Sequence, residues 1–203
     1  MVDFVSQSTA EYAQWLLGKK LLFHNGSHCL GGYIVETEAY LGVTDEAAHS
    51  YNGKRTPRVE SMYQIGGTIY VYTMHGHNMM NIVMQEAGVP EGVLIRGLEP
   101  TAGVEMMMKN RSADMANLTN GPGKLTKALG ITRAVDGSMI NVGPVRLDLM
   151  TSRMPKEIKQ SPRIGIPNKG VATDALLRFY VQGNPYVSCL PKSQLVEAEQ
   201  TWL

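Results

Sequence analysis

Cysteine is scarce in this chain of 203 residues. Only Cys29 and Cys189 are present, and they lack the close Cys-x-x-Cys spacing that is typical of redox and zinc sites. The sequence therefore argues against a disulfide framework and against a thiolate metal centre. We expect both cysteines to be buried as small hydrophobic residues.

Long apolar runs are also missing, because no stretch approaches the roughly 18 apolar residues that a membrane helix needs. The N-terminal region carries Asp3 and Glu11 among polar residues, where a secretory signal would have a basic segment followed by an apolar one. We therefore expect a cytoplasmic protein with no membrane partner. The length fits a single domain spanning residues 1–203, and a monomer is the default expectation.

Familiar motifs of small-molecule enzymes are absent as well. The sequence contains no glycine-rich phosphate loop, no nucleophile elbow and no kinase signature. His75-Gly76-His77 has no neighbouring Cys or Asp that could complete a metal shell. We expect neither a cofactor nor a metal.

Charge is nearly balanced overall, at +1, but it is unevenly distributed along the chain. Residues 106–173 hold 11 Lys or Arg and 4 Asp or Glu, which gives this stretch a net charge of +7. A basic stretch of this kind is typical of a surface that faces phosphate groups, and equally of an ordinary solvated surface.

Periodicity and turn signals predict a mixed α/β (α+β) fold with a largely antiparallel sheet. Ser8 and Glu11 form a capping box ahead of the first predicted helix. The predicted helices cover residues 10–17, 101–109 and 125–129. The predicted strands cover residues 33–40, 68–74 and 92–98, and a last strand pair over 176–188 turns at 183–185.

The strand over residues 33–40 alternates so that Glu36, Glu38 and Tyr40 share one face. A carboxylate followed two residues later by a tyrosine can serve as a general base beside a stacking platform. The alternative is an exposed strand face that carries solvated carboxylates.

Two further strands carry candidate site residues. Tyr70 and Tyr72 lie on the same side of one strand, where they could stack on a planar base or pack in the core. Arg96 lies among apolar residues, and a buried charge there needs a partner such as Glu38. Such an ion pair could serve a site or only the fold.

Eight blocks of the sequence follow one another between about residues 10 and 190. They lie at 34–42, 45–49, 56–58, 67–72, 93–100, 120–125, 162–165 and 178–185. In this order they closely resemble the alkyladenine (3-methyladenine) DNA glycosylase family. The resemblance implies a fold like the C-terminal domain of methionyl-tRNA formyltransferase, with a curved, largely antiparallel sheet flanked by helices.

The resemblance also implies roles for individual side chains. Glu38 is the general base that deprotonates water, and Arg96 helps to hold that water. Tyr40 and His49 lie on one side of a flipped base, and Tyr72 lies on the other.

Further residues match positions that contact DNA in the family. Asn81 matches a pocket-wall position that discriminates against normal guanine. His75 stands where many relatives have a tyrosine that wedges into the minor groove. Contacts with the DNA backbone are expected from Lys54, Arg55, Arg58 and Lys124.

The implied activity is that of a monofunctional DNA glycosylase acting on double-stranded DNA. It would flip alkylated or deaminated purines, such as 3-methyladenine or hypoxanthine, out of the duplex and hydrolyse the N-glycosidic bond, which initiates base excision repair. No lysine occupies a family nucleophile position, so no lyase step is expected. In a bacterium the protein would associate with the nucleoid.

Two other functions remain compatible with the residues. One is a hydrolase of free nucleosides or sugars, which would use the same carboxylate and aromatic groups. The other is a non-enzymatic module that binds RNA or DNA.

Overall fold

The computed structural model describes residues 2–203, which form one eight-stranded sheet and four α-helices connected by turns and short 3-10 helices. The strands are β1 (Lys20–Asn25), β2 (His28–Tyr40), β3 (Ile69–Met74), β4 (His77–Met84), β5 (Glu91–Ala102), β6 (Val145–Asp148), β7 (Ile158–Ser161) and β8 (Arg178–Val181). The helices are α1 (Thr9–Trp15), α2 (Val104–Arg111), α3 (Pro122–Leu129) and α4 (Val171–Asp174). The predicted α+β class is confirmed.

Every named strand pair in the sheet is antiparallel, and the strand order is β3-β4-β5-β2-β1-β6. Strand β2 has 13 residues, so it can pair with β5 along one edge and with both β1 and β8 along the other. Its register with β5 shifts at Gly31/Gly32, Ile34/Glu36 and Glu36/Thr37. Irregularities of this kind bend a strand and increase its twist, which accounts for a curved sheet.

Helix α1 confirms the capping box. The Ser8 hydroxyl accepts from the Glu11 N–H, and the Glu11 carboxylate accepts from the Ser8 N–H at 2.8 Å. Gly18 ends this segment with φ +78°, and a Cβ there would meet the Arg153 carbonyl oxygen at 2.0 Å. Glycine is therefore required both by the backbone conformation and by the lack of space.

The boundary between β5 and α2 differs from the prediction. The helix predicted over residues 101–109 is wrong at its start, because β5 continues to Ala102 and α2 begins at Val104. Pro100 pairs with Gly32 beside a register shift, where a missing N–H disturbs the ladder least. Gly103, with φ +67°, then redirects the chain into the helix.

The strand pair predicted over residues 176–188 is wrong in its second half. Strand β8 pairs with β7 and β2 instead, and the chain after it is irregular. Asn184 donates to Glu99 Oε2 at 2.7 Å, and the Ser188 N–H donates to Glu36 Oε2 at 2.7 Å. Contacts with two buried carboxylates thus take the place of a strand ladder.

Both cysteines were expected to be buried, and this expectation is wrong. Cys29 is half-buried close to the turn between β1 and β2, and Cys189 is exposed. Neither therefore acts as a fully buried hydrophobic residue.

The buried hydrophobic residues form two clusters. The larger one is the main core and includes Leu16, Leu21, Ile34, Ile95, Leu98 and Met107. The smaller one packs against Tyr40 and consists of Val59, Met62, Tyr63, Tyr70, Tyr72, Met79, Val83 and Leu94. Among residues 2–203, no helix is long and apolar enough to cross a membrane.

Candidate active site

One row of paired residues crosses four strands of the sheet. Tyr70 on β3 pairs with Asn81 on β4. Leu94 on β5 pairs with Asn81 on one side and with Glu38 on the other. Directly opposed residues on neighbouring strands project to the same side of a sheet. The register therefore brings residues from distant parts of the chain to one place.

A cavity of about 350 Å³ opens over this row. Seven of the residues singled out from the sequence line it, namely Tyr40, His49, Tyr70, Tyr72, His75, Asn81 and Arg96. The remaining lining residues are Ala47, Ala48, Met62, Met74, Met79, Leu94, Pro122, Ile164, Gly165 and Ile166. The cavity is therefore mostly apolar and aromatic, with few polar groups, as is typical of ligand sites.

Glu38 lies directly behind this lining and is fully buried. Its Oε1 accepts from the Ile164 N–H at 2.7 Å, and its Oε2 accepts from the Tyr40 hydroxyl at 2.9 Å. Arg96 Nη1 lies 3.4 Å from Oε2. The predicted pairing of Arg96 with Glu38 is thus present, and the alternative of an exposed, solvated strand face is wrong.

Burial raises the pKa of Glu38 above its ordinary value of 4.5. Arg96, the Ile164 N–H and the Tyr40 hydroxyl oppose this effect because they stabilise the ionised form. A carboxylate whose pKa lies above the ordinary value is a stronger base than a solvated one, which suits general base catalysis.

The rate of any reaction that needs ionised Glu38 is expected to fall as the pH drops through this raised pKa. The acid limb of kcat/KM should therefore have its midpoint above 4.5. His49 also titrates in the acidic range, since burial together with Arg58 and Lys54 lowers its pKa from 6.5. The resemblance implies purine excision as the reaction to follow, and its rates from pH 4 to 8 in the wild type and in His49→Gln separate the two groups. The limb should persist in His49→Gln, and a midpoint at or below 4.5 would contradict the assignment.

Arg96 also belongs to a second buried network centred on Glu36. Arg96 Nε lies 3.1 Å from Glu36 Oε1, and Arg178 Nε lies 2.7 Å from the same oxygen. The Ser188 hydroxyl donates to it at 2.8 Å. Two carboxylates and two guanidinium groups thus balance one another inside the sheet, and Glu36 fixes the position of Arg96.

The aromatic residues of the cavity contact one another. Tyr70 and Tyr72 are stacked, with ring centroids 5.4 Å apart. His49 meets Tyr72 edge-on at 4.5 Å, and its Nδ1 lies 3.0 Å from the Tyr70 hydroxyl. Burial raises the pKa of Tyr72 to about 12 and also raises that of Tyr70, so both hydroxyls stay protonated near neutral pH. His49 and Tyr72 are too close in this arrangement for a planar base to enter between them.

Asn81 lies in the middle of β4, and His75 lies in the turn that precedes this strand. Asn81 is buried, and its Nδ2 donates to the Tyr70 carbonyl oxygen at 3.2 Å. His75 and Gly76 form the two-residue turn between β3 and β4, with φ of +49° and +77°. Positive φ at both positions is the pattern of a type I′ turn. His75 is therefore exposed at the tip of a hairpin beside the cavity.

The four basic residues expected on DNA lie outside the cavity lining and differ in their surroundings. Lys54 is exposed, whereas Arg55 is paired with Glu60 at 2.5 Å. Arg58 donates to the Thr73 carbonyl oxygen at 3.0 Å and lies 5.7 Å from the Tyr72 ring. Lys124 donates to Asn120 Oδ1 at 2.8 Å. Lys124 follows the cavity residue Pro122 by two positions, and both Arg58 and Lys54 lie close enough to His49 to lower its pKa.

Sequence reasoning assigned no role to three groups beside the cavity: Asp45, Arg163 and the Ile164 N–H. Arg163 forms a buried, two-pronged ion pair with Asp45, with distances of 2.5 and 2.8 Å. Asp45 and Arg163 both lie in blocks that resemble the family. Nothing in the local sequence showed that these two blocks meet.

Comparison with known proteins supports a nucleic-acid repair function. The family model described as methylpurine-DNA glycosylase (MPG) matches residues 3–185. A protein of Staphylococcus carnosus (strain TM300) with the provisional name 3-methyladenine DNA glycosylase is 53% identical over 202 residues, which covers 99% of this chain and 98% of that protein. Relatives with the same name in Staphylococcus saprophyticus and Staphylococcus haemolyticus are 52% and 51% identical over 201 residues. Each alignment covers 99% of this chain, and 99% and 100% of the respective relatives.

The family match extends over most of the chain, and the full-length identities are about one half. The matched range contains every residue that lines the cavity. The chain therefore belongs to the methylpurine-DNA glycosylase family.

Proposed function

We propose that this protein removes alkylated or deaminated purines from duplex DNA by base flipping and that Glu38 activates the attacking water. The enzyme class, a hydrolase of the 3-methyladenine DNA glycosylase type, follows from the family. The proposed role of Glu38 rests on where this residue lies. It is a buried, hydrogen-bonded carboxylate held between Tyr40, Arg96 and Ile164, all of which line the aromatic cavity.

The chemistry suits such a carboxylate. Cleavage of an N-glycosidic bond builds positive, oxocarbenium-like charge on the sugar, which a nearby carboxylate stabilises while it orients water. Glu38 takes the proton of the water, the oxygen bonds to C1′, and the purine leaves with the electron pair of the broken bond. Because Glu38 is fully buried, Tyr40 or Arg96 has to make room when the water enters.

Selection of the damaged base would come from two sources. Extrusion from the stack costs a few kcal/mol, and the cost is smallest for damaged or mispaired nucleotides. The base then stacks on the rings of Tyr40 and Tyr72, which contributes about 1–3 kcal/mol. His49 moves away from Tyr72 as the base enters, and Asn81 contacts the base edge. A neutral leaving base such as hypoxanthine requires hydrogen bonding, for which neutral His49 is available.

The hairpin tip would fill the space that the base vacates. His75 is exposed between β3 and β4 and lines the cavity, so a hairpin that enters the minor groove would place it in the base stack. Arg58, which donates to the Thr73 carbonyl oxygen on β3, and Lys124 on α3 would contact phosphates. We place the activity in the cytoplasm, on chromosomal DNA.

His75→Ala is expected to weaken binding to DNA that contains an abasic site, about 10-fold, because the flipped state loses the side chain that fills the gap. His77→Ala is the matched control, since His77 begins β4 just beyond the same turn and does not line the cavity. Fluorescence anisotropy with an abasic duplex measures both. Equal affinity of His75→Ala and the wild type would remove His75 from the wedge role.

Activity on three substrates tests the proposed function. Duplex oligonucleotides that carry one hypoxanthine, one ethenoadenine or one 3-methyladenine analogue are incubated with the protein and then treated with alkali, which cuts at abasic sites. Free nucleosides are assayed in parallel. Scission of at least one duplex is expected. Turnover of nucleosides alone would support the nucleoside hydrolase, and binding of duplex without any scission would support the binding module.

A further inference from the structure

Arg163 connects three segments that surround Glu38. Its Nη1 donates to the Ala39 carbonyl oxygen at 2.9 Å, and its guanidinium lies 4.6 Å from the centre of the Tyr40 ring. Both contacts lie at the end of β2. The ion pair with Asp45 adds the loop that follows this strand.

Asp45 organises that loop on its own side. Its Oδ2 accepts from the Leu41 N–H at 3.0 Å, and its Oδ1 accepts from the Ala47 N–H at 3.0 Å. The chain then continues through Ala48 to His49, which line the cavity. Burial opposes ionisation of Asp45, but the hydrogen bonds from Arg163 and Leu41 outweigh it and hold the pKa of Asp45 below 3.8.

The residue after Arg163 contacts the general base directly. The Ile164 N–H donates to Glu38 Oε1, and the Tyr40 hydroxyl, on the ring against which Arg163 stacks, donates to Oε2. Two of the three groups that hold the carboxylate are thus attached to residues that Arg163 fixes. The third is Arg96, which Glu36 holds from the other side.

We infer that Arg163 is a positioning residue: its ion pair with Asp45 holds the Ile164 N–H and the Tyr40 hydroxyl on the Glu38 carboxylate. The inference rests on the proposed role of Glu38. Arg163 lies outside the cavity lining, so it acts through Ile164 and Tyr40.

The ionisation of Glu38 reports on this arrangement. The charged or titratable groups around its carboxylate are Glu36 and Tyr40 on β2, Tyr72 on β3, Arg96 on β5, Arg178 on β8, and Arg163 with Asp45. Arg163→Lys keeps the positive charge but loses the two-pronged contact. The donors from Ile164 and Tyr40 then lose their fixed positions, and both favour the ionised form. The pKa of Glu38 is therefore expected to rise.

The test is a titration of carboxyl carbons by NMR in protein labelled with ¹³C at glutamate Cδ, with the Glu38 signal assigned from its absence in Glu38→Gln. In Arg163→Lys the midpoint is expected to move up by about one pH unit, and the excision rate to fall about 10²-fold. Asp45→Asn, which keeps the size of the side chain, should act in the same direction. The double variant should change the Glu38 midpoint and the excision rate no more than the stronger single variant does, because both substitutions break the same ion pair.

Arg153→Lys is the matched control. Arg153 also pairs with a buried carboxylate, Glu99, at 2.9 Å and stacks on Tyr33 at 4.5 Å, but none of the three lines the cavity. In Arg153→Lys the midpoint of the Glu38 titration should equal that of the wild type. An unchanged or lowered midpoint in Arg163→Lys and Asp45→Asn, or an equal rise in Arg153→Lys, would overturn the inference. The titration needs no DNA, so its outcome stands whether or not the wild type excises purines.

Discussion

Glu38→Gln is expected to lower the single-turnover rate of purine excision by about 10²- to 10⁴-fold, which is the usual contribution of a general base. The amide keeps the size of the side chain and can still accept from the Ile164 N–H, but it cannot take a proton from water. Removal of a buried charge also relieves its desolvation cost, and Arg96 keeps Glu36 as a partner. The variant should therefore fold and bind the lesion duplex as the wild type does.

Two measurements on the same preparation check this prediction. Rapid-quench kinetics with a hypoxanthine duplex give the rate of the chemical step, and anisotropy gives the affinity. Glu86→Gln, the same substitution on an exposed turn, serves as the control and should leave both values unchanged. Excision by Glu38→Gln at the wild-type rate would show that another group activates the water.

Glu36→Gln is expected to cost about 3–5 kcal/mol in the free energy of unfolding, the effect of removing one partner from a buried ion pair. Glu36 is fully buried and accepts from two guanidinium groups, from the Ser188 hydroxyl and from the Ser188 N–H. The variant removes the carboxylate that pairs with Arg178 and leaves Arg96 paired with Glu38. Arg96 also loses the contact that fixes its direction, so excision should slow even where the protein remains folded.

Urea denaturation followed by circular dichroism measures the loss of stability. Glu60→Gln is the comparison, because Glu60 also pairs with an arginine but does so on the surface, where an ion pair contributes little. A shift of the urea midpoint no larger in Glu36→Gln than in Glu60→Gln would contradict the role given to the Glu36 network.

Local signals in the sequence were sufficient for several elements. The capping box at Ser8 and Glu11 and the alternation around Glu38 each depend on neighbouring residues alone. Local signals gave wrong predictions where a contact with a distant part of the chain determined the conformation. The strand β5 passes through Pro100 because β2 pairs with it, and the segment around Asn184 is irregular because it binds Glu99.

The candidate site was predictable to the same extent. Alternation placed Glu38 on a strand face, but it could not show that this face is buried or that Leu94 pairs with it. The choice of a catalytic role over a solvated carboxylate came from the resemblance to a family. The contacts of Arg163 with Asp45 and of Glu36 with Arg178 span 118 and 142 residues. Separations of this size leave no periodic signal in a single sequence.

We expect this chain to hydrolyse the bond between a damaged purine and deoxyribose in duplex DNA. Mass spectrometry of the products from a duplex that carries a single hypoxanthine measures this directly. One free purine per duplex is expected, together with an uncut strand in which a hydroxyl group has replaced the base. Either of two results would contradict this activity. One is an unchanged strand in all three duplexes, which carry hypoxanthine, ethenoadenine or the 3-methyladenine analogue. The other is a strand already cleaved by elimination.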